Sequence, residues 1–359
     1  MTGTVADISA QIESLFRLSK AAGWDHVGLQ FGDLDAPVTR VAVCHEVTPT
    51  VATELVASNI DLVVAYHPLL FRPTTRLIAG SGASGRAFQL IANGTALVVV
   101  HTAFDMAPGG TADSLADAVG LVDCTGFGPA WGSDTSKIVT FAPESAVELI
   151  VSAMAAAGAG DIGGYSSCSY RSLGTGSFFA DATTTPTTGS ANTLNREQET
   201  RVEMIAPASR TAAVVAALVE AHPYEEPAYD LIETRSNAGM VGRVGRLAEP
   251  STTAALASLV HDRLGGVVRT AGDGPIRTVA VIPGSGGSLL GSANADAVVT
   301  GDVSHHQARA ALERGISIID PGHAATERPG VKALYAAVAE TIAGTIDMTD
   351  IDHDPWKER

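Results

Sequence analysis

The chain has 359 residues, of which 45% are hydrophobic and 17% are charged, and its formal net charge is −16. This length favours two or three domains, and no uninterrupted apolar run is long enough to cross a membrane. The acidic balance, without a stripe of lysine or arginine, argues against nucleic acid as the main ligand.

The first twenty residues contain acidic groups and predict the amphipathic helix of a mature domain, and they lack the pattern of a signal peptide. The three cysteines are widely spaced and odd in number. They therefore fit neither a disulfide framework nor a CxxC metal site, and a reducing compartment is favoured. We expect a cytoplasmic protein.

The first zone, residues 1–132, alternates β-branched runs with helical stretches. Nearly continuous apolar runs, which are typical of buried parallel strands, cover 38–47, 61–68 and 95–102. Helical patterns separate these runs, and one of them ends in a glycine that suits a helix C-cap. The pattern predicts strand–helix–strand units with right-handed crossovers.

The middle zone, residues 133–238, reads as an independent α+β insert. Helical patterns cover 144–158 and 209–221, and a polar loop covers 181–196. We place the strands at 137–143, 165–171, 174–180, 201–207 and 227–234. The sequence of elements favours a ferredoxin-like βαββαβ fold.

The final zone, residues 239–359, shows the same alternation of strand and helix patterns as the first zone. Strands are predicted at 277–284, 296–302 and 315–323, with a helix over 303–315. The two outer zones together predict one α/β domain with parallel sheets, which the middle zone interrupts.

Metal-competent side chains follow the strands of both outer zones. Ligands of open parallel sheets bind beyond the carboxyl ends of the strands. Five predicted strands end in, or are closely followed by, such residues: His45 and Glu46; Tyr66 and His67; His101 and Asp105; Asp302; His323 and Glu327. Imidazole and carboxylate without thiolate suit Zn²⁺, Mn²⁺ or Fe²⁺ better than Ca²⁺. The core ligands predicted from the residues are His67, Asp105, His323 and Glu327.

Several neighbouring residues have alternative interpretations. Asp302 is either part of the site or the N-cap of the following helix. On that helix, His305 and His306 are interpreted as structural, with a functional role kept as an alternative for His306 only. His101 is interpreted as a group that orients a ligand. The glycine-rich segment 283–288 is either a cradle for an anion or a plain tight turn.

Seven motifs follow one another along the chain: WDHVGLQFGD (24–33), HPLLF (67–71), HTAFDMAPGG (101–110), HPYEEPAYD (222–230), GSGGS (284–288), TGD (300–302) and GHAATE (322–327). Taken in this order, they resemble the motifs of the GTP cyclohydrolase 1 type 2 homologues, also called the Ngg-interacting-factor-three-like proteins. The similarity spans nearly the whole chain and matches the long form, in which a PII- or CutA-like domain interrupts the metal-binding domain.

The resemblance implies a site for two divalent metal ions in each chain and a toroidal homohexamer. The implied ligands are Tyr66 with His67, then Asp105, His323 and a bridging Glu327. Tyr66 departs from the family pattern, which commonly has a second histidine there. An unperturbed phenol has a pKa near ~10 and is a poor neutral donor. One of the two ions is therefore expected to be weakly bound, differently coordinated or absent, which gives one or two divalent ions per chain.

The leading functional hypothesis is a metal-dependent hydrolase of a small nucleotide-like or heterocyclic substrate, with Glu46 or His101 moving protons. The alternative is a non-catalytic regulatory or scaffold protein that binds a small ligand or a protein partner through the insert. A metallochaperone is a further alternative.

Overall fold

The computed structural model describes residues 3–128, 135–162, 164–234 and 240–356. Contacts divide the chain into two compact units: Met1–Gly132 with Ala238–Arg359, and Ser133–Asn237. The residues at the two predicted domain boundaries, near 132 and 238, lie outside the described ranges.

The N-terminal segment opens with a helix that is capped at its start. The Thr4 side chain accepts a hydrogen bond from the Asp7 backbone, and the Asp7 carboxylate accepts one from the Thr4 backbone. This reciprocal arrangement satisfies backbone donors that the helix itself leaves unpaired. The elements are β1 (Gly3–Thr4), α1 (Val5–Phe16), β2 (Gly28–Phe31), β3 (Pro37–Val38), β4 (Val41–Cys44), α2 (Pro49–Ala57), β5 (Leu62–Ala65), α3 (Gly82–Ala92), β6 (Ala96–Val99), α4 (His101–Met106), α5 (Thr111–Val119) and β7 (Leu121–Phe127).

Within its described residues, the unit Ser133–Asn237 forms a four-stranded antiparallel sheet with two α-helices. Its elements are β8 (Thr135–Ala142), α6 (Glu144–Ala156), β9 (Tyr170–Phe179), β10 (Leu194–Pro207), α7 (Thr211–Ala221) and β11 (Tyr229–Thr234), and the strand order is β11-β8-β10-β9. Apolar side chains of both helices and of β8 and β10 form one buried cluster. The prediction of separate strands at 165–171 and 174–180 is wrong, because β9 runs through Gly174 and Gly176 as one strand paired along β10.

The C-terminal segment adds the remaining elements. They are β12 (Gly242–Thr252), α8 (Thr253–Leu264), β13 (Arg269–Ala271), β14 (Pro275–Ser285), β15 (Ala297–Gly301), α9 (His305–Glu313), β16 (Ser317–Asp320), α10 (His323–Thr341) and β17 (Ile346–Asp347). None of the helices in the described ranges is both long enough and apolar enough to span a membrane.

Two mixed sheets form the framework of the outer unit. One has the order β17-β4-β5-β6-β2, and the other β13-β16-β15-β14-β12-β7. The pairs β17–β4, β4–β5, β5–β6, β14–β15 and β15–β16 are parallel, whereas β2, β7, β12 and β13 pair in the antiparallel direction. The α/β class is therefore confirmed, but purely parallel sheets are not observed.

Helix α10 packs against strands of both sheets, β4 in the first and β14 in the second. Its residues Val331, Leu334 and Val338 are fully buried in the cluster that also contains Val43 and Val64. Burial of side chains of this size contributes about 1.5–3 kcal/mol each. The packing holds the first turn of α10 beside the carboxyl ends of the parallel strands.

Candidate metal centre

The side chains that follow the parallel strands converge on one buried carboxylate, that of Glu327 in α10. Glu327 is 2% exposed. His45 Nε2 lies 2.9 Å and His67 Nε2 3.1 Å from Oε2, and His323 Nε2 lies 3.0 Å from Oε1. His45 and His67 come from the first sheet, whereas His323 precedes Glu327 by one helical turn. The predicted residues His67, His323 and Glu327 are therefore brought together.

Asp105 and Tyr66 occupy the Oε1 side of Glu327. The Tyr66 hydroxyl donates to Asp105 Oδ1 at 2.6 Å and lies 3.5 Å from Glu327 Oε1. Burial, reinforced by the charges of Asp105 and Glu327, raises the pKa of Tyr66 well above its ordinary value. Tyr66 is thus a protonated hydrogen-bond donor in this arrangement.

The second nitrogen of three histidines in this region faces an aspartate. His45 Nδ1 lies 3.3 Å from Asp352 Oδ2, and His323 Nδ1 lies 2.7 Å from Asp302 Oδ2. His101 Nδ1 lies 2.9 Å from Asp25 Oδ2. A carboxylate at one ring nitrogen fixes the tautomer and orientation of an imidazole and makes the other nitrogen a better metal donor.

The electrostatics of the centre keep Glu327 ionised although it is buried. Burial would raise the pKa of Glu327, but His67, His323 and His45 hold it well below its ordinary value. Hydrogen bonding to Glu327 raises the pKa of His323 to about 9, whereas burial lowers the pKa of His67. Burial also raises the pKa of Asp105, to about 6. A buried anion that attracts three imidazoles is a site where a cation is favoured.

The donor set fits a divalent metal ion. Donor atoms of His45, His67 and Glu327 lie within 4.8 Å of one another. Nitrogen and oxygen donors without thiolate suit Zn²⁺, Mn²⁺ or Fe²⁺. The adjoining backbone also leaves room: Gly284 has φ +62°, and a Cβ there would lie 2.5 Å from Glu327 Oε1 and 3.3 Å from His323 Nε2.

The structure also places the other residues that the sequence proposed. Glu46 is exposed, and no described residue forms a hydrogen bond with its carboxylate. The N-cap interpretation of Asp302 is wrong, since Ser304 caps α9 and the Asp302 carboxylate faces His323. His305 and His306 are both exposed on α9.

The glycine-rich segment 283–288 has little capacity left for an anion. The backbone N–H of Gly284 donates to the Thr326 hydroxyl at 2.8 Å, and that of Gly286 donates to the Thr300 hydroxyl at 2.9 Å. Because both donors are already used inside the fold, the turn interpretation describes this segment better than the anion cradle.

The ligands predicted from the sequence do not include His45, and the sequence analysis does not single out Asp25 and Asp352, which face His101 and His45. His45 was visible at the end of a predicted strand, but nothing in the sequence showed the direction of its side chain. Asp352 lies near the C-terminus, about 300 residues beyond His45. Asp25 stands in the WDHVG motif, which offered the one available signal.

Comparison with known proteins agrees with this architecture. The profile of Duf34/NIF3 (NGG1p interacting factor 3) matches residues 3–355. A Mycobacterium tuberculosis protein named GTP cyclohydrolase 1 type 2 homolog is 37% identical over 99% of this chain and 97% of that protein. A Halalkalibacterium halodurans protein of the same name is 35% identical over 85% and 84%. The crystal structure of a Bacillus cereus protein related to NIF3 is 32% identical, with a TM-score of 0.71 and 99% coverage of both chains.

Proposed function

Because the chain belongs to the Duf34/NIF3 family, we propose that it binds divalent metal at the centre around Glu327 and hydrolyses a small nucleotide-like or heterocyclic substrate. The observation that carries the proposal is the convergence of three imidazole nitrogens on the two oxygens of one buried carboxylate. The name GTP cyclohydrolase 1 type 2 homolog, which relatives at 35–37% identity bear, supports a nucleotide-like substrate.

The proposed ligands are His67, Asp105, His323 and Glu327, with Zn²⁺, Fe²⁺ or Mn²⁺ as the ion. Glu327 offers Oε2 on the His67 side and Oε1 on the His323 side, so it can bridge two ions. A divalent ion held by these residues would supply a nucleophile at neutral pH and would polarise the bond under attack.

Proton movement is assigned to His101 in preference to Glu46. Burial opposes the charging of His101, but its hydrogen bond to Asp25 raises its pKa above the ordinary value. The pairing of Nδ1 with Asp25 leaves Nε2 to accept or return a proton. Glu46 is exposed and lacks a partner among the described residues, so it has no comparable means of orientation.

The test is turnover by purified, metal-loaded protein supplied with GTP and a panel of other nucleotides. We expect product from wild type and from His306→Ala, which removes an exposed histidine outside the centre, but not from His67→Ala. Wild-type turnover no greater than that of His67→Ala would remove the hydrolase assignment. Elemental analysis of the same samples tests metal binding separately.

A second candidate function is regulation by a ligand in the unit Ser133–Asn237, for which we propose a ferredoxin-like, PII- or CutA-like fold. A cavity of about 830 Å³ in this unit supports it. Its lining combines aromatic rings with charged groups, including Phe141, Phe178, Tyr224, Arg201 and Glu199. A pocket of this size and mixed lining suits a small organic ligand.

This second function is tested by screening small ligands for a rise in the Tm of the full chain. We expect at least one compound to stabilise wild type and not Tyr224→Ala, with metal content unchanged. Equal shifts in both proteins would contradict binding in this cavity.

We further propose a toroidal homohexamer, for which light scattering should give six times the chain mass.

A further inference from the structure

His45 and Tyr66 leave adjacent strands side by side. Strands β4 and β5 are parallel, with Cys44 opposite Ala65, so the next residues of each strand are neighbours. The ring centroids of His45 and Tyr66 are 5.6 Å apart. The two side chains therefore both reach the carboxylate of Glu327, Tyr66 towards Oε1 and His45 towards Oε2.

Tyr66 is committed to another partner. Its hydroxyl donates to Asp105 at 2.6 Å, and its distance to Glu327 Oε1 is 3.5 Å. A phenol becomes a metal ligand most readily after it loses its proton, and here that proton is held by a carboxylate. Tyr66 therefore ties Asp105 in place on the Oε1 side of Glu327.

His45 has the geometry of a ligand on the opposite side. Its Nε2 and that of His67 both face Glu327 Oε2, at 2.9 and 3.1 Å, and the two rings are 4.9 Å apart. Behind it, Asp352 faces His45 Nδ1 at 3.3 Å. Asp352 in turn accepts a hydrogen bond from Arg328 Nη1 at 3.0 Å.

Packing alone does not account for the buried series of polar side chains Arg328, Asp352 and His45. His45 is 4% exposed and Asp352 is 5% exposed, and burying charged groups is costly unless they are paired. The aspartate orients the imidazole and increases its basicity, as carboxylates behind metal-binding histidines do. Arg328 also donates to the Asp352 backbone oxygen at 2.9 Å, which fixes the aspartate itself.

We propose that His45 supplies an imidazole ligand to the ion on the Oε2 side of Glu327, in the role that the resemblance assigns to residue 66, and that Asp352 and Arg328 position it. This inference rests on the metal-binding part of the proposed function. It assigns three donors to the Oε2 side, His45, His67 and Glu327, and it leaves Tyr66 outside the ligand set.

The test is titration of the metal-free full-length protein with Co²⁺, followed by its visible absorption, which depends on the number and type of ligands. We expect His45→Ala to weaken the Kd by more than about 10-fold and to change the spectrum. Tyr66→Phe should keep the absorption bands of wild type, since no ligand is lost, and its Kd reports separately the loss of the hydrogen bond that ties Asp105 in place. His306→Ala is the matched control for the loss of one histidine.

The positioning role of Asp352 is tested by its replacement with asparagine, which keeps the size of the buried side chain. Asp352→Asn should weaken the Kd by about 10–100-fold while the absorption bands keep their nitrogen-ligand character. In His45→Ala, the added change Tyr66→His should restore part of the lost affinity by offering an imidazole from the neighbouring strand. Circular dichroism of each metal-free variant shows that the fold is retained, and His45→Gln serves if His45→Ala does not fold.

Two results would overturn the inference: wild-type Kd and spectrum in His45→Ala, or loss of the spectrum in Tyr66→Phe. If Glu327→Ala still abolishes binding in that case, the proposed metal centre stands and only the ligand assignment falls. Conversely, a His45-dependent spectrum without any turnover refutes the hydrolase and leaves His45 as a ligand.

Discussion

The hydroxyl of Tyr66 donates to Asp105 across a 2.6 Å hydrogen bond that is closed to solvent. Asp105 therefore has a donor within the protein even when no cation is near it. The phenol stabilises a carboxylate that burial would otherwise destabilise. The pair gives the metal-free centre an internally satisfied state on the Oε1 side of Glu327.

Tyr66→Phe should lower the free energy of unfolding of the metal-free protein by about 1–3 kcal/mol, because it leaves a buried carboxylate without its donor. Urea denaturation measures the change. Tyr335→Phe is the matched control, since no described residue forms a hydrogen bond with the Tyr335 hydroxyl. Equal stability of Tyr66→Phe and the control would mean that the bond contributes nothing.

Gly284→Ala should reduce metal content and stability together. A Cβ at this position would lie 2.5 Å from Glu327 Oε1, and the backbone is left-handed with φ +62°. Gly315→Ala, at φ +75° with no atom within 4 Å, has the same backbone strain of about 1–2 kcal/mol without the clash. Elemental analysis of both variants separates the two effects, and equal loss of metal would contradict the steric explanation.

Glu327→Gln should abolish the stabilisation that added metal gives. A ligand that binds only the folded state raises stability by about 2.7 kcal/mol at a concentration 100 times its Kd. We therefore expect Zn²⁺ or Mn²⁺ to raise the Tm of wild type, and a chelator to reverse the rise, with little change in Glu327→Gln. A similar rise in the variant would place the binding site elsewhere.

Asp61 and Asp296 hold the starts of parallel strands in the two sheets. Asp61 accepts from the backbone N–H groups of Thr39 and Arg40 at 2.7 and 2.8 Å. Asp296 accepts from those of Arg277 and Thr278 at 2.8 and 2.9 Å. Burial would raise the pKa of each aspartate, but these hydrogen bonds hold it below the ordinary value.

The lowered pKa of each aspartate means that its stabilising contribution is present above about pH 3.9 and is lost as the pH falls through the folded-state pKa. Asp61→Asn and Asp296→Asn should each lower the free energy of unfolding by about 0.5–1 kcal/mol at neutral pH, since solvent screens these groups. Each should also flatten the acid arm, which is the fall in the free energy of unfolding as the pH decreases. Urea denaturation from about pH 6 down to about pH 3 measures it. Asp262→Asn, an exposed change on α8, is the control, and an unchanged acid arm in the two variants would refute the assignment.

Much of the candidate site could be predicted because parallel strands end at a common edge. His67, Asp105, His323 and Glu327 all lie there. The choice between His45 and Glu46 could not be made in the same way. Adjacent residues of an extended chain point to opposite sides, so only one of them faces the site. Strand β4 is buried on both faces, which erases the alternation that would have shown which one.

The strands that sequence reasoning missed or divided depend on their partners more than on their own pattern. Strand β7 is exposed over most of its length, and β9 contains Gly174 and Gly176. Neither presents the apolar run or alternation that identifies a strand. Pairing with β12 orders β7, and pairing with β10 orders β9. A short stretch of sequence contains no information about such long-range pairs.

The donors of the centre are made at very different times during synthesis. His67 and Glu327 are 260 residues apart in sequence. At about 5–20 residues per second, Glu327 leaves the ribosome roughly 13–52 s after His67. The first sheet is also incomplete until its outer strand has been synthesised, since β17 pairs with β4. A nascent chain therefore presents His45 and His67 before the carboxylate that contacts both of them in the folded protein has been synthesised.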